Sequence, residues 1–117
     1  MEITRELVLP APAEEVWGAL TDPERLEEWF ANDVELDLRT DGEGVFRWDN
    51  GEVRTAVVEE IEPRRRFGFR WTDCDTSEVV FELDEVAEGT RVTVRETSCE
   101  FSAALGLRLM AGAFATA

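Results

Sequence analysis

At the start of the chain Ile3, Leu7 and Leu9 share one side and Glu2, Thr4 and Glu6 the other. That period of two predicts a half-buried strand, and Pro10 and Pro12 end it. The period then changes. Val16, Trp17 and Leu20 fall on one helical face, which predicts a short helix over 13–20. Thr21-Asp22-Pro23-Glu24 starts another at once: either Thr21 closes a capping box with Glu24, or Asp22 caps with Pro23 in the first turn. Leu26, Trp29 and Phe30 sit at i, i+3 and i+4 and face inward, so the two helices make a V-shaped wedge.

Beyond the wedge the text is strand and turn. Strands are predicted at 34–39, 45–49, 52–62, 67–72, 78–84 and 91–95. Phe46 and Trp48 share a face, as do Phe67, Phe69 and Trp71, and Val79, Phe81 and Leu83. Asn50-Gly51 predicts a type I′ hairpin turn, which needs two positive φ values. From Ser102, an N-cap candidate, Leu105, Leu107, Leu109, Met110 and Phe114 stand among alanines, and Arg108 is the one charge. A helix apolar on nearly every side calls for burial on more than one side. If one side packs on the sheet, the other needs a cover, so a homodimer or another partner is expected there.

The order β, α, α, six strands, α predicts a single α+β domain over residues 1–117. A curved antiparallel sheet would wrap the C-terminal helix, with the wedge plugging one end. The inward set would be Phe46, Trp48, Val57, Phe67, Phe69, Trp71, Phe81 and Leu83, with Met110 on the helix and Trp29 and Phe30 at the mouth. Two outcomes fit this pattern: the aromatics fill a solid core, or they line a ligand-sized cavity.

Composition narrows the chemistry. The formal net charge is −15, from 27 acids against 12 bases, and all the bases are arginine. Such a field repels phosphate backbones and anionic lipid, so neither nucleic acid nor a membrane surface is an expected partner. No apolar run approaches a membrane span and no basic-apolar leader opens the chain, so the cytoplasm is the expected compartment. There is no His, Lys or Tyr. That removes His-based nucleophile pairs, imidazole metal ligands and Schiff-base lysines. No metal, cofactor or catalytic constellation is expected, and any catalysis would rest on carboxylates, Cys, Arg or bound water.

Two carboxylates are weak catalytic candidates. Glu96 continues the parity of Val92 and Val94, so it either enters the concave face or, as a strand-end residue, is solvated; the solvated position is expected. Glu59, in parity with Thr55, Val57 and Ile61, is treated alike. Arg64, Arg65 and Arg66 read as a solvated turn paired with nearby acids, the alternative being an anchor for an acidic partner. Cys74 and Cys99 lack metal or redox spacing, and a disulfide is not expected.

Three segments carry a family resemblance. Leu9-Pro10-Ala11-Pro12-Ala13-Glu14-Glu15-Val16-Trp17, continuing through Ala19-Leu20-Thr21-Asp22-Pro23-Glu24 to Trp29-Phe30, resembles the opening of the activator of heat-shock-protein-ninety ATPase homologue-like proteins. These belong to the START-like (SRPBCC) superfamily with the helix-grip fold. Glu60-Ile61-Glu62-Pro63-Arg64-Arg65-Arg66-Phe67, through Phe69-Arg70-Trp71, resembles its central signature. Ser77 to Phe81 and Gly89-Thr90-Arg91-Val92-Thr93-Val94 are similar to its last hairpin. The resemblance implies a seven-stranded sheet gripping a C-terminal helix over a hydrophobic pocket, hence binding of a small apolar ligand. It also implies two alternatives, an interaction module related to chaperone ATPase activators and a polyketide cyclase-like enzyme using a cavity carboxylate. The activators that act on the ATPase carry an additional N-terminal domain, for which this sequence has no room, and their last helix is usually longer and more amphipathic.

Overall fold

The computed structural model describes residues 2–72 and 77–97. Its strands are β1 (Glu2–Leu9), β2 (Asp33–Leu36), β3 (Glu43–Arg47), β4 (Val53–Glu62), β5 (Arg66–Trp71), β6 (Glu78–Val86) and β7 (Gly89–Thr97), with helices α1 (Ala13–Thr21) and α2 (Pro23–Trp29) after β1. The strands form one antiparallel sheet in the order β1-β7-β6-β5-β4-β3-β2. Five hairpin links join β2 to β7. Only β1 joins from a distance, since the wedge and strands β2 to β6 lie between it and its partner β7 along the chain. The final helix, with Ser102 and Met110, lies outside the described residues, as do Cys74 and Cys99.

Local chemistry sets the connections. Asp22 caps α2, its Oδ1 accepting from the Glu24 N–H at 3.0 Å with Pro23 in the first turn, so of the two start signals the aspartate acts. The Thr21 hydroxyl instead donates to the Trp17 carbonyl at 2.8 Å. At the β3–β4 hairpin the Gly51 N–H donates to the Trp48 carbonyl at 3.0 Å, and Gly51 has φ 89. Asn50 is not at positive φ, so this is a three-residue loop with glycine in the left-handed position rather than the expected type I′ turn. The Asn50 side chain accepts from the Glu52 N–H at 2.9 Å. Pro63 corners the β4–β5 turn, which the Arg65 N–H closes on the Glu62 carbonyl at 2.9 Å. Arg64 takes φ 65 there.

One face of the sheet is buried under the wedge. Val16, Leu20 and Leu26 from the helices join Phe46, Ala56, Val58, Phe67, Phe69, Trp71, Val79, Phe81, Leu83, Val92 and Val94 in one core. Burying each phenylalanine ring contributes about 2–3 kcal/mol. Three bonds fix the wedge: the Trp29 indole N–H donates to the Ala19 carbonyl, the Trp48 indole N–H donates to the Phe30 carbonyl, and the Thr90 hydroxyl donates to the Ala11 carbonyl, each at 2.8 Å.

The other face is charged. Arg66 meets Glu60 at 2.9 Å and Glu82 at 3.8 Å, and Glu82 meets Arg95 at 3.0 Å, a ladder of alternating sign from β4 to β7. Arg47 bridges Asp33 and Glu35 at 2.7 and 2.8 Å. These hydrogen bonds, Glu35's first, hold the guanidinium above its ordinary pKa. Exposed pairs of this kind add little to stability; their larger effect is to keep this face wet.

Candidate functional site

The buried face presents rings at close range. Phe69 and Trp71 meet edge to face with centroids 5.0 Å apart, Phe46 meets Trp71 at 5.4 Å, and Phe67 stacks on Phe81 at 6.4 Å. Phe30, just past α2, reaches Phe46 at 5.4 Å, Trp48 at 5.8 Å and Trp71 at 6.3 Å. Trp29 and Phe30 thus meet the sheet's aromatics from above. Alternation puts every second side chain of β3, β5 and β6 on this side, which is why the aromatic pattern was legible.

Between wedge and rings lies an apolar cleft of about 10 Å³, bounded by Leu20, Leu26, Trp29, Phe30, Phe46, Phe67, Phe69 and Phe81. A space of that size holds about one water molecule. At this end of the face the rings fill a core, as in the first of the two outcomes left open by the pattern. Leu83 is buried in the same layer, and Trp48 is half-buried at its margin.

The remaining expected positions divide. Val57 pairs with Arg70 on the charged face, while its neighbours Ala56 and Val58 are buried opposite Trp71 and Phe69. Glu59 is exposed and faces Arg70 at 3.5 Å, so it leaves the set of interior carboxylates. The cause is a bulge between Val58 and Glu60. One extra residue reverses the alternation, so Ile61, opposite Phe67, returns to the inner side while Val57 and Glu59 stay out.

Glu96 is buried, only 1% exposed. β7 keeps its register through Thr97, with Glu96 between Ile3 of β1 and Val79 of β6. The solvated position expected for it is therefore wrong: the strand does not fray there, and parity carries the carboxylate inside. Arg54 is the residue that sequence reading missed. It is 7% exposed, lies opposite Phe46, and holds its guanidinium carbon 4.3 Å from the Trp71 ring centroid, a cation–π distance. Two adjacent acids, Glu59 and Glu60, inside one strand were the available signal: strict alternation would bury one of them, whereas a bulge keeps both outside and turns Arg54 in.

Elsewhere, Arg65 stands 4.0 Å from Glu62, and Arg66 is engaged by Glu60 and Glu82, in keeping with a solvated, acid-paired turn. A wide hollow of about 590 Å³ lies against the β2–β3 connection, edged by Glu35, Asp37, Asp41 and Glu43. Among the described residues no group of three potential ligands could hold a metal ion, and no helix is long and apolar enough to cross a membrane.

A seven-stranded antiparallel sheet with a two-helix wedge after its first strand is the α+β arrangement consistent with a helix-grip domain. The family model for "Activator of Hsp90 ATPase homolog 1-like protein" matches residues 10–107, and the chain belongs to that family. Among solved structures it is similar to the Aha1 dimer of Colwellia psychrerythraea, with TM-score 0.84 and 19% identity over 97% of this chain and 96% of that one. It is also similar to CalU16 from Micromonospora echinospora, with TM-score 0.73 and 30% identity over 97% of this chain and 72% of that one. DynU16, a putative protein in the dynemicin biosynthetic locus, gives TM-score 0.73 and 28% identity over 95% of this chain and 42% of that one. No curated protein matches the sequence.

Proposed function

We propose that this domain binds a small hydrophobic ligand on the inner face of its sheet, on the side that carries Trp71, Arg54 and Glu96. The observation that carries the reading is the composition of that face: aromatic walls interrupted by two buried ionisable residues of opposite sign. Rings supply affinity through buried area, and a few fixed polar groups supply orientation. The cleft of about 10 Å³ under the wedge is too small for a ligand, so the ligand would need space elsewhere along this face. Native mass spectrometry of gently purified protein tests this. A co-purified small molecule, or a saturable one-to-one complex with the neutral probe N-phenyl-1-naphthylamine, is expected; absence of both would refute the reading.

Two specific observations favour other uses of the same fold. Burial of Glu96 suits a polyketide cyclase-like enzyme in which the carboxylate moves a proton or orients water. Recovery of the ligand in two chemical forms, related as substrate and product, would favour that reading. The likeness to an Aha1 dimer suits an interaction module that self-associates. Light scattering coupled to size exclusion decides it, since a monomer at every concentration would exclude the dimer.

A further inference from the structure

We propose that Asn50 is a site of spontaneous covalent modification, its side-chain amide closing on the Gly51 nitrogen, and that the isoaspartate so formed loosens the wedge's hold on the sheet. The pair sits at the tip of the β3–β4 hairpin, with both residues exposed. Gly51 has φ 89 and nothing lies within 4 Å of the point where a Cβ would stand, so no neighbour crowds the turn there. The Asn50 Oδ1 accepts from the Glu52 N–H at 2.9 Å. A contact from i to i+2 of this kind curls the side chain back over the intervening peptide, which brings the Asn50 Cγ toward the Gly51 nitrogen. The same N–H is aimed at the oxygen that gains negative charge when Cγ is attacked. One brake acts: the Gly51 N–H donates to the Trp48 carbonyl at 3.0 Å, and that bond must open first.

The step needs only water. The Gly51 nitrogen gives its proton to solvent base and bonds to the Asn50 Cγ. The Cγ–Nδ2 bond breaks, and Nδ2 takes a proton and leaves as ammonia. Water then opens the cyclic imide at either carbonyl. Cleavage of the new bond gives aspartate; cleavage of the old peptide bond gives isoaspartate, whose main chain runs through the side chain and is a methylene longer. Aspartate keeps the acceptor for the Glu52 N–H. Isoaspartate instead lengthens a loop whose ends are tied by the Trp48 N–H donating to the Glu52 carbonyl at 2.9 Å. Trp48 and Asp49 carry that change to the segment that follows α2. The Trp48 indole N–H donates to the Phe30 carbonyl and the Asp49 N–H to the Asn32 Oδ1, each at 2.8 Å.

Asparagine occurs only at positions 32 and 50 and the chain has no glutamine, so a lost side-chain amide has two sources. Trypsin, cutting after arginine, puts Asn50 in the fragment 48–54 and Asn32 in the fragment 26–39. The full chain is aged at mildly alkaline pH, and both fragments are followed by chromatography and mass spectrometry. Fragment 48–54 should gain about 1 Da and split into two isomers. It should do so at about tenfold or more the rate of 26–39, where the Asp33 side chain crowds the attacking nitrogen. Equal rates overturn the proposal. Asn50→Asp supplies the aspartate product alone and should melt close to the native chain. Aged protein, freed of the unmodified chain by anion exchange, should show a transition about 5 °C or more lower. If it melts like Asn50→Asp instead, the modification does not reach the wedge and that half of the proposal fails.

Discussion

Replacing Gly89 with alanine is the sharpest test of how the wedge is aimed. Gly89 opens β7 at φ 141, and a Cβ placed there would stand 2.0 Å from the Leu9 carbonyl oxygen and 2.9 Å from the Ala11 nitrogen. Ordinary contact begins near 3.4 Å, so the β1–α1 corner would have to retreat by more than an ångström. It is held on three sides. The Ala11 N–H donates to the Leu9 carbonyl at 2.8 Å, the Thr90 hydroxyl donates to the Ala11 carbonyl at 2.8 Å, and Leu9 is buried. An L-residue in that region of φ costs about 1–3 kcal/mol. Overpacking against fixed backbone costs about as much again. The sum of roughly 2–6 kcal/mol is a large share of the ~5–15 kcal/mol that holds such a domain together, and predicts a fall in Tm of roughly 10–20 °C. Gly51→Ala is the matched control, because Gly51 also has positive φ, at 89, but nothing lies within 4 Å of its added Cβ. It should lose only the conformational part, about 1 kcal/mol. Thermal and urea unfolding followed by circular dichroism compare the two. Equal losses would show that the β6–β7 hairpin does not press on the corner, and the geometric reasoning would fail.

Other consequences can be measured on the same instrument. Asp22→Ala removes the cap of α2 and should cost about 1 kcal/mol in urea, whereas Asp22→Ser should retain most of it. Arg64→Gly relieves a non-glycine residue at φ 65. The relief of about 1 kcal/mol, less the added freedom of the unfolded chain, should leave a net gain of roughly 0.5 kcal/mol; a loss would mean that the arginine side chain does more at that turn than occupy solvent. Raising sodium chloride from low salt to about 0.5 M should raise Tm, because screening the self-repulsion of a −15 chain outweighs screening its exposed ion pairs. A Tm that falls with salt would put the ladder of pairs on the outer face ahead of net repulsion.

Much of this architecture was legible because its elements obey local rules. The strand alternations, the two-helix wedge and the Asp22-Pro23 start signal each follow from side-chain period and capping chemistry, with little tertiary input. Boundaries were less legible. The predicted strand 34–39 ends at Leu36, since Asp37–Asp41 bends back to let the Asp41 N–H reach the Val58 carbonyl at 2.8 Å. The larger failure concerns β4, where period two was carried backward from Ile61 to Val57. The bulge makes that extrapolation invalid, and every inward residue before it was placed on the wrong side.

That single error explains why β4 contributed only Val57 and no cation to the expected site. With the phase set by Ile61, Arg54 counts as an outer residue among many arginines, and Ala56 and Val58 as spacers. With the phase set by Gly44 and Phe46, which face Ala56 and Arg54 across the β3–β4 ladder, the same ten residues deliver a cation to Trp71. Glu96 was uncertain for the opposite reason. Parity put it inside and the rule that strand ends fray put it outside; its pairing with both Ile3 and Val79 decides between them, and that pairing is a long-range fact no local window contains. Both ionisable residues on this face are therefore set by tertiary register, while the rings around them are set by local alternation. Substitutions that shift the bulge should consequently disturb Arg54 before they disturb the aromatic wall. Deleting Glu59 would restore one continuous alternation from Val53 to Ile61. Arg54 and Ile61 would then both keep the inward phase, so tryptophan fluorescence should stay close to that of the native chain, and a large change would show that the bulge itself holds Arg54 against Trp71.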